Sequence, residues 1–271
     1  MSQLARQDNM ELKDGVCIVT GSATGIGAAC AVELAKRGCR PVINYTKSEA
    51  EARETARKCE QHGVETLLVR ATVADDADCR RMADAALQKW GRIDGLVNNA
   101  GTTKVAFNHA DLAALDASDF QNIYAVNVIG AFQMTRAVES TMRRQGRGSI
   151  VNVSSRAGVD SIGTSLAYAA SKGAMNTLTI GLARALGPQI RVNAVCPGFV
   201  ETRWLQGAIG ERYEMARSRY ASASALQRTS TPEDVADVVL WLLAGAAAVT
   251  GELIVIDSGN RLGALPGGRA P

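Results

Sequence analysis

The sequence contains very little that could bind a metal ion. Only two histidines occur in 271 residues, and the six cysteines are scattered without a single Cys-x-x-Cys pair. A structural zinc site needs clustered nitrogen and sulfur ligands, so we predict that the chain holds no metal. Isolated cysteines are typical of small buried hydrophobic positions in a reducing compartment. We therefore expect free thiols and a cytoplasmic protein.

Strong charge and long apolar runs are also missing. The formal net charge is +3, and no basic run occurs, so we predict no nucleic-acid partner. No tract of 18 apolar residues is present, and the polar first fifteen residues lack the apolar core of a signal peptide. We therefore expect no membrane association and interpret the N-terminus as a loose leader.

Seven short apolar runs alternate with longer amphipathic stretches along the whole chain. The runs are VCIVT (16–20), RPVINY (40–45), ETLLV (65–69), DGLVN (94–98), SIVNVS (149–154), IRVNAV (190–195) and ELIVI (252–256). Four of them are continuously apolar, which is typical of strands covered on both faces. Strand–helix alternation without a linker or an internal repeat predicts one α/β domain, with a doubly wound parallel sheet of about seven strands and helices on both faces.

A glycine-rich turn, TGSATGIGAA, joins the first strand to the first helix. Gly21, Gly25 and Gly27 have the spacing Gly-x-x-x-Gly-x-Gly, one residue longer than the commoner dinucleotide fingerprint. Such glycines let the turn fold tightly and let a pyrophosphate approach backbone N–H groups at the start of a helix. Glycines in a turn can also be purely structural, and this motif alone leaves both interpretations open.

Five further motifs follow in a fixed order. They are NNAG (98–101), YAVNVIGAF (124–132), VNVSSRAG (151–158), YAASK (168–172) and CPGFVET (196–202). Together with TGSATGIG they make the chain resemble the classical short-chain dehydrogenase/reductase family, similar to its 3-oxoacyl-acyl-carrier-protein reductase-like members. The resemblance implies a Rossmann fold over residues 12–260, with a substrate lid at about 201–228. Residues 1–11 would form a flexible leader and residues 261–271 a C-terminal tail.

The resemblance also implies four catalytic side chains, which are Asn127, Ser155, Tyr168 and Lys172. Tyr168 and Lys172 are four residues apart and would share one helix face. Taken alone they could be an ordinary exposed pair. A phenol with a pKa of about 10 is a poor acid–base group near neutral pH. We expect the Lys172 ammonium and an oxidised nicotinamide to lower the pKa of Tyr168. Ser155 would hydrogen-bond the substrate oxygen.

The same resemblance implies a nicotinamide dinucleotide site. Its expected contacts are Gly21, Ser22, Thr24, Gly25, Ile26, Gly27, Asn44, Tyr45, Thr46, Lys47, Ser48, Thr72, Val73, Asn99, Ala100, Gly101, Tyr168, Lys172, Pro197, Gly198, Val200 and Thr202. Two positions depart from the family pattern. Thr72 stands where an aspartate usually contacts adenine, and IDSGN (256–260) replaces Asp-Gly-Gly after the last strand.

The end of the second strand favours NADP(H) over NAD(H). An acid there would take the ribose hydroxyls and repel a 2′-phosphate. Here Thr46, Lys47 and Ser48 precede any acid and could supply a cation and hydroxyls. Ser48 and Glu51 also have the spacing of a helix capping box, which is compatible with phosphate binding. Against NADP(H), the glycine loop lacks a basic residue, and Glu49 is near enough to turn inward.

Substrate specificity is expected from residues 103–110 and from the lid. Trp204, Leu205, Ile209, Tyr213 and Met215 could line an apolar pocket or pack the lid itself. His109 is interpreted as an exposed loop residue rather than a substrate contact. Three arginines could contact an acyl carrier protein, although a solvated helix end is the simpler interpretation; they are Arg143, Arg144 and Arg147.

The sequence therefore predicts an NADP(H)-dependent oxidoreductase that interconverts a ketone and a secondary alcohol, with Tyr168 as general acid and base. The alternatives are an NAD-dependent alcohol or sugar dehydrogenase of the same fold, or a dinucleotide-sensing protein without turnover. The intact set of four side chains argues against the sensor. Helices around 124–138 and 165–186 have almost no polar face. This predicts a homotetramer, with a homodimer as the alternative.

Overall fold

All seven predicted strands form, and they pair in one parallel sheet. The computed structural model describes residues 10–263, so parts of the predicted leader and tail lie outside the described residues. The strands are β1 (Val16–Val19), β2 (Arg40–Tyr45), β3 (Leu67–Arg70), β4 (Gly95–Asn98), β5 (Gly148–Val153), β6 (Ile190–Pro197) and β7 (Leu253–Ile256). Their spatial order is β3-β2-β1-β4-β5-β6-β7. The predicted fold class is confirmed.

Helices connect the strands and cover both faces of the sheet. They are α1 (Gly25–Lys36), α2 (Glu49–Glu60), α3 (Asp76–Trp90), α4 (Ala117–Tyr124), α5 (Ala131–Arg144), α6 (Ala157–Asp160), α7 (Leu166–Leu186), α8 (Arg203–Ile209), α9 (Tyr213–Ala223) and α10 (Pro232–Leu240). A π-helical turn at Ala125–Gly130 joins α4 to α5, and a second one at Trp241–Gly245 follows α10. The sequence analysis predicted a helix around 124–138, and the π-helical turn at Ala125–Gly130 falls within that range.

The direction of winding reverses between β1 and β4. β1 pairs in parallel with β2 on one side and with β4 on the other, although three helices and two strands separate β1 from β4 in the chain. The loops that follow β1 and β4 therefore leave the sheet toward opposite faces. This opens a crevice at the carboxyl ends of the two strands, where open α/β sheets bind their ligands.

Two apolar layers hold the helices against the sheet. On one face, Met82 of α3 and Met134 and Met142 of α5 pack against β1, β4 and β5. On the other face, Leu34 of α1 and Val239 of α10 pack against the opposite side of the same strands. Because β1 and β4 are covered on both sides, every residue in them is buried. Their continuously apolar sequence follows from this position.

The predicted capping box at the start of α2 is wrong. Ser48 is the residue before the helix, but its side chain makes no capping hydrogen bond. A capping serine normally has an extended backbone, whereas Ser48 has φ −88° and ψ 61°. The Glu51 carboxylate lies 3.6 Å from the guanidinium of Arg203 in α8. Glu51, which the sequence pattern assigned to the cap, therefore contacts α8 instead.

Close contact between α6 and α7 depends on the absence of a side chain at Gly158. A Cβ atom there would lie 2.5 Å from the backbone carbonyl carbon of Lys172 and 2.7 Å from the nitrogen of Gly173. Backbone atoms cannot rotate away as a flexible side chain can. A methyl group at this position would therefore push the two helices apart.

We predict that Gly158→Ala destabilises the protein by about 1–3 kcal/mol, the usual cost of overpacking. Gly181→Ala is the matched control, because it lies inside α7 with no atom within 4 Å of the added Cβ. Removing a helical glycine there should stabilise the protein by roughly 0.5–1 kcal/mol. Urea unfolding monitored by circular dichroism measures both changes. Equal stabilities of the two variants would contradict the packing argument.

Candidate active site

A large cavity lies along the carboxyl edge of the sheet. Its volume is about 1760 Å³, and its lining comes from the turns after β1, β2, β3, β4, β5 and β6 and from the lid helices α8 and α9. A pocket for one drug-sized ligand usually measures about 300–1,000 Å³. This cavity therefore has room for a dinucleotide and a second molecule beside it.

The glycine turn after β1 has the geometry of a phosphate cradle. Gly21 and Gly25 adopt φ +61° and +59°, which side chains disfavour, and a Cβ atom at Gly21 would lie 3.0 Å from Cα of Ala100. Thr24 precedes α1 without a side-chain capping bond. The first N–H groups of α1 are therefore available to an anion, and the positive end of the helix dipole favours one. The residues present fit a dinucleotide pyrophosphate.

Asn44 fixes this turn to the neighbouring strands. Its Oδ1 accepts from the N–H of Gly21 at 2.9 Å, and its Nδ2 donates to the carbonyls of Val69 and Ala71. Asn44 borders the cavity, but these bonds commit its amide to the protein. The sequence analysis placed Asn44 among the cofactor contacts. Its side chain instead holds three strands at the correct separation.

Thr20 and Asn99 fix the other side of the turn. The Thr20 hydroxyl accepts from the N–H groups of Asn99 and Ala100, both at 3.0 Å. The Asn99 amide donates to the carbonyls of Thr20 and Gly21, both at 2.9 Å. The sequence analysis did not identify Thr20 as a site residue. Its only signal in the sequence is a hydroxyl at the last position of an apolar run.

Most of the predicted cofactor contacts meet at the cavity. Its wall includes Gly21, Thr24, Gly25, Ile26, Asn44, Tyr45, Thr46, Lys47, Thr72, Val73, Asn99, Ala100, Gly101, Tyr168, Lys172, Pro197, Gly198, Val200 and Thr202. Ser22, Gly27 and Ser48 are not part of the wall. Ser22 is fully buried and donates to the carbonyl of Val19. Gly27 is packed against Asn99, where a Cβ would lie 2.5 Å from Nδ2.

Tyr168 and Lys172 lie in the first two turns of α7. Ser165 starts this helix by accepting a hydrogen bond from the N–H of Tyr168 at 3.2 Å. One turn later, Nζ of Lys172 lies 5.7 Å from the centre of the Tyr168 ring and donates to the carbonyl of Val153 at 2.8 Å. Lys172 is only 3% exposed. The predicted shared face is therefore present, and it points into the cavity.

Burial has the largest effect on the pKa values of Tyr168 and Lys172. It raises the pKa of Tyr168 above its ordinary value, and the interaction with the Ser155 side chain only partly opposes this rise. Burial also lowers the pKa of Lys172 to about 8. The expected lowering of the Tyr168 pKa is therefore wrong for the protein by itself. The physical reason is that desolvation of the phenolate outweighs the favourable groups around it.

Asn127 lies beneath the cavity floor rather than in its wall. Its Oδ1 accepts from the N–H of Thr102 at 2.8 Å, and its Nδ2 donates to the carbonyl of Thr102 and the hydroxyl of Ser171, both at 3.0 Å. The Ser171 hydroxyl in turn donates to the carbonyl of Tyr168. Asn127 stands in the π-helical turn, and such turns are frequent at functional sites. It links the loop after β4 to the helix that carries Tyr168.

Arg156, directly after Ser155, was missed from the sequence. Its guanidinium donates to the carboxylate of Asp160 and to Oδ1 of Asn260, and it lies 3.5 Å from the hydroxyl of Tyr220 in α9. The Asn260 amide donates to the carbonyl of Tyr220. The departure IDSGN thus has a structural consequence, because Asn260 joins the Ser155 loop to the lid.

The apolar lid residues divide between the cavity and the lid's own packing. Tyr213 is buried, and its ring lies 5.5 Å from that of Phe199. The other four expected residues face the cavity; they are Trp204, Leu205, Ile209 and Met215. His109 does not border the cavity, and its Nε2 lies 3.2 Å from the carbonyl of Gly163.

The three arginines considered for carrier-protein contact lie elsewhere. Arg143 pairs with Glu139 and donates to the carbonyl of Ala185, while Arg147 lies 3.9 Å from Glu11. Arg144 donates to the hydroxyl of Thr141. They sit between the end of α5 and the start of β5, at the sheet edge opposite the cavity. Their position does not support a role at the candidate site.

Residues 10–263 contain no group of histidine, cysteine or acidic side chains that could hold a metal ion. In the same range all six cysteines are free and buried. Among the helices described, none is long and apolar enough to span a membrane.

Comparisons with known proteins agree with this geometry. A family profile described as "Enoyl-(Acyl carrier protein) reductase" matches residues 21–261. The chain is 42% identical over 247 residues to ketoacyl reductase 2 of the granaticin polyketide synthase from Streptomyces violaceoruber, covering 91% of this chain and 96% of the relative. It is 36% identical over 258 residues to the 3-oxoacyl-[acyl-carrier-protein] reductase FabG of Thermotoga maritima, covering 92% and 99%.

Solved structures give the same result. A short-chain dehydrogenase/reductase from Burkholderia xenovorans superposes with a TM-score of 0.85 at 41% identity, covering 92% of this chain and 98% of the other. Levodione reductase superposes with a TM-score of 0.86 at 29% identity, with coverage of 92% and 98%. The fold, the matched motifs and these relatives together show that the chain belongs to the short-chain dehydrogenase/reductase family, whose members are nicotinamide-dependent oxidoreductases acting on CH–OH and C=O groups.

Proposed function

We propose that this protein is an NADPH-dependent ketone reductase in which Tyr168 donates the proton. The observation that carries the proposal is the convergence of Ser155, Tyr168 and Lys172 on the cavity that also contains the glycine turn. Relatives named as ketoacyl reductases support the direction of reduction. Small-molecule ketones are the proposed substrates.

The chain's own residues supply the proton and orient the substrate oxygen. A bound nicotinamide supplies a hydride to the carbonyl carbon. The phenol of Tyr168 donates its proton to the oxygen as negative charge develops there. The Ser155 hydroxyl donates a hydrogen bond to the same oxygen. Because burial raises the pKa of Tyr168, the phenol is protonated at neutral pH in the protein by itself. The Lys172 ammonium and an oxidised nicotinamide beside the phenol would favour loss of that proton during the reaction. Lys172 faces the phenol and would hold the nicotinamide ribose.

The proposed preference for NADPH rests on the surroundings of Lys47. Lys47 borders the cavity, and it has no ion pair among residues 10–263. Glu49, which could have repelled a 2′-phosphate, is bound to Arg53 by an ion pair of 2.6 Å. Glu51 does not line the cavity, and its carboxylate lies 3.6 Å from the guanidinium of Arg203, which does. The nearest acids are thus paired, and Lys47 is left to attract a phosphate.

We further propose that the protein works as a homotetramer, or as a homodimer, in the cytoplasm. Several large apolar side chains are exposed on the outer faces of α4, the π-helical turn, α5 and α7; they are Phe120, Ile129, Phe132 and Ile180. The sequence predicted burial on more than one side for the π-helical turn, the first half of α5 and α7, and α4 adds Phe120 next to them in the chain. Closed symmetric assembly would cover these faces.

We predict that Tyr168→Phe lowers kcat for ketone reduction at least ~100-fold, the lower range for loss of general acid catalysis. The ring and its packing remain, so the dissociation constant for NADPH should change little. Stopped-flow absorbance of NADPH and a fluorescence titration measure the two quantities. Tyr124→Phe, a phenol outside the cavity wall, is the control. Near-normal turnover in Tyr168→Phe would refute the assigned role.

We predict that Lys172→Met abolishes turnover but stabilises the protein at neutral pH. The lowered pKa means that the folded protein binds this proton less readily than the unfolded chain does. The resulting penalty is absent above pH 10.5, grows as the pH falls to about 8, and is constant below that. Removing this penalty should raise the free energy of unfolding by up to about 3 kcal/mol. The Val153 carbonyl then lacks its hydrogen-bond partner, which should lower the free energy of unfolding by roughly 1–3 kcal/mol.

The measurement for Lys172→Met is its melting temperature relative to the unmodified protein between pH 7 and pH 10.5. The difference should shrink as the pH rises. Lys58→Met, at an exposed lysine of α2, should give a difference that does not depend on pH in this way. A pH-independent difference for Lys172→Met would show that the buried ammonium carries no penalty.

We predict that Lys47→Glu shifts the ratio of kcat/KM for NADPH over NADH toward NADH by about tenfold or more. Loss of one hydrogen bond to a charged group is worth about 1.5–3 kcal/mol, and the new carboxylate also repels the 2′-phosphate. Lys58→Glu is the matched control, because it makes the same charge reversal at a lysine inside α2. If the unmodified protein already uses NADH more efficiently, the cofactor proposal is wrong and the role of Tyr168 is unaffected.

A further inference from the structure

Exposed apolar side chains are concentrated at one end of the cavity. Val105 and Phe107 come from the loop after β4, Ile162 from the loop before α7, and Trp204 and Met215 from the lid helices. Their exposed fractions range from 44% to 67%, although they belong to three separate segments. Contiguous exposed apolar surface marks a ligand or partner site in most proteins. Its position around Tyr168 identifies the ligand as the substrate.

Trp204 gives this surface a flat aromatic face. The centre of its indole lies 6.3 Å from the centre of the Tyr168 ring, and the two rings are tilted by 40°. Aromatic pairs at this separation prefer offset or edge-to-face arrangements. A ring whose carbonyl points to the Tyr168 hydroxyl would extend along the indole. Gly163 lies beside the Tyr168 ring, and its lack of a side chain avoids a collision with Cβ of Ala157, which would lie 2.7 Å from an added Cβ.

The open shape of this surface favours a rigid ring system over a flexible chain as its ligand. The five side chains are half exposed, so they border a broad open cleft rather than a closed tunnel. A flexible chain bound in such a cleft loses the freedom of each rotatable bond, and a rigid ring system does not. Stacking adds about 0.5–1.5 kcal/mol beyond the area buried, and only a ring gains it.

We infer that the substrate is a ketone within a rigid, flat ring system, held by stacking on Trp204. This inference rests on the proposed function of Tyr168 and specifies the substrate class of the same site. Trp204 is the residue that sets the preference. An extended acyl chain is the competing substrate class, and it would gain no stacking energy from Trp204.

Two ketones with ten carbon atoms test the inference, namely the bicyclic 2-tetralone and the linear 2-decanone. With NADPH and the full chain, kcat/KM should be at least tenfold higher for 2-tetralone. Trp204→Leu keeps an apolar side chain but loses the flat face. It should raise KM for 2-tetralone about fivefold to tenfold and change KM for 2-decanone little. Trp204→Phe should restore most of the preference.

Trp241→Leu is the matched control, because Trp241 has the same 47% exposure and does not border the cavity. A binding readout separates this inference from the proposed function. Titration with 2-tetralone should quench tryptophan emission in the unmodified protein and in Trp241→Leu, but much less in Trp204→Leu. Quenching without turnover would refute the proposed reductase activity and support the ring site. Reduction that favours 2-decanone, or quenching that is unchanged in Trp204→Leu, would overturn the inference.

Discussion

The ammonium of Lys172 is buried, and one backbone carbonyl, that of Val153, is its hydrogen-bond partner in the protein. A charge in such surroundings needs compensating contacts at short range. The end of β5 and the helix α7 must therefore approach closely enough for the 2.8 Å bond to form. Gly158 allows α6 to fit against the backbone of Lys172, and Gly101 leaves space near Nζ, 3.8 Å from where its Cβ would be. The small residues between 165 and 175 follow from this packing requirement.

The crevice beside Lys172 stays open because its edges are fixed by side chains rather than by ligand. Asn44 and Asn99 bind the backbone of the glycine turn, and the Thr20 hydroxyl binds the backbone of the loop after β4, so that the turn is shaped before a dinucleotide arrives. A preformed cradle reduces the entropy lost on binding. Deeper in the sheet, Nδ2 of Asn98 donates to Oδ1 of Asn152, and Nδ2 of Asn152 donates to the hydroxyl of Thr179 on α7. Buried amides thus connect β4 and β5 to the helix that carries Tyr168 and Lys172.

The sequence allowed most of the fold and the two central side chains of the site to be predicted. Strands buried on both faces must be apolar, and a tight turn before a phosphate must contain glycine, so both features leave local signals. The contacts that were missed are not local. Arg156 meets Asn260 across 104 residues, and the two belong to separate elements of the fold. Ser48 had a plausible local pattern, but its backbone angles are not those of a capping residue, and its hydroxyl makes no capping bond.

Arg156 also connects the lid helix α9 to the loop that contains Ser155. Its guanidinium joins the residue after Ser155 to Asn260, and Asn260 binds the carbonyl of Tyr220 in α9. The Tyr220 hydroxyl donates to the carbonyl of Asp257 and covers Gly198, where any side chain would collide with it. Met215, which also belongs to α9, borders the cavity. A displacement of α9 is therefore transmitted through polar contacts to the loop that positions Ser155. The apolar cleft and the loop that holds the Ser155 hydroxyl are therefore parts of one connected structure.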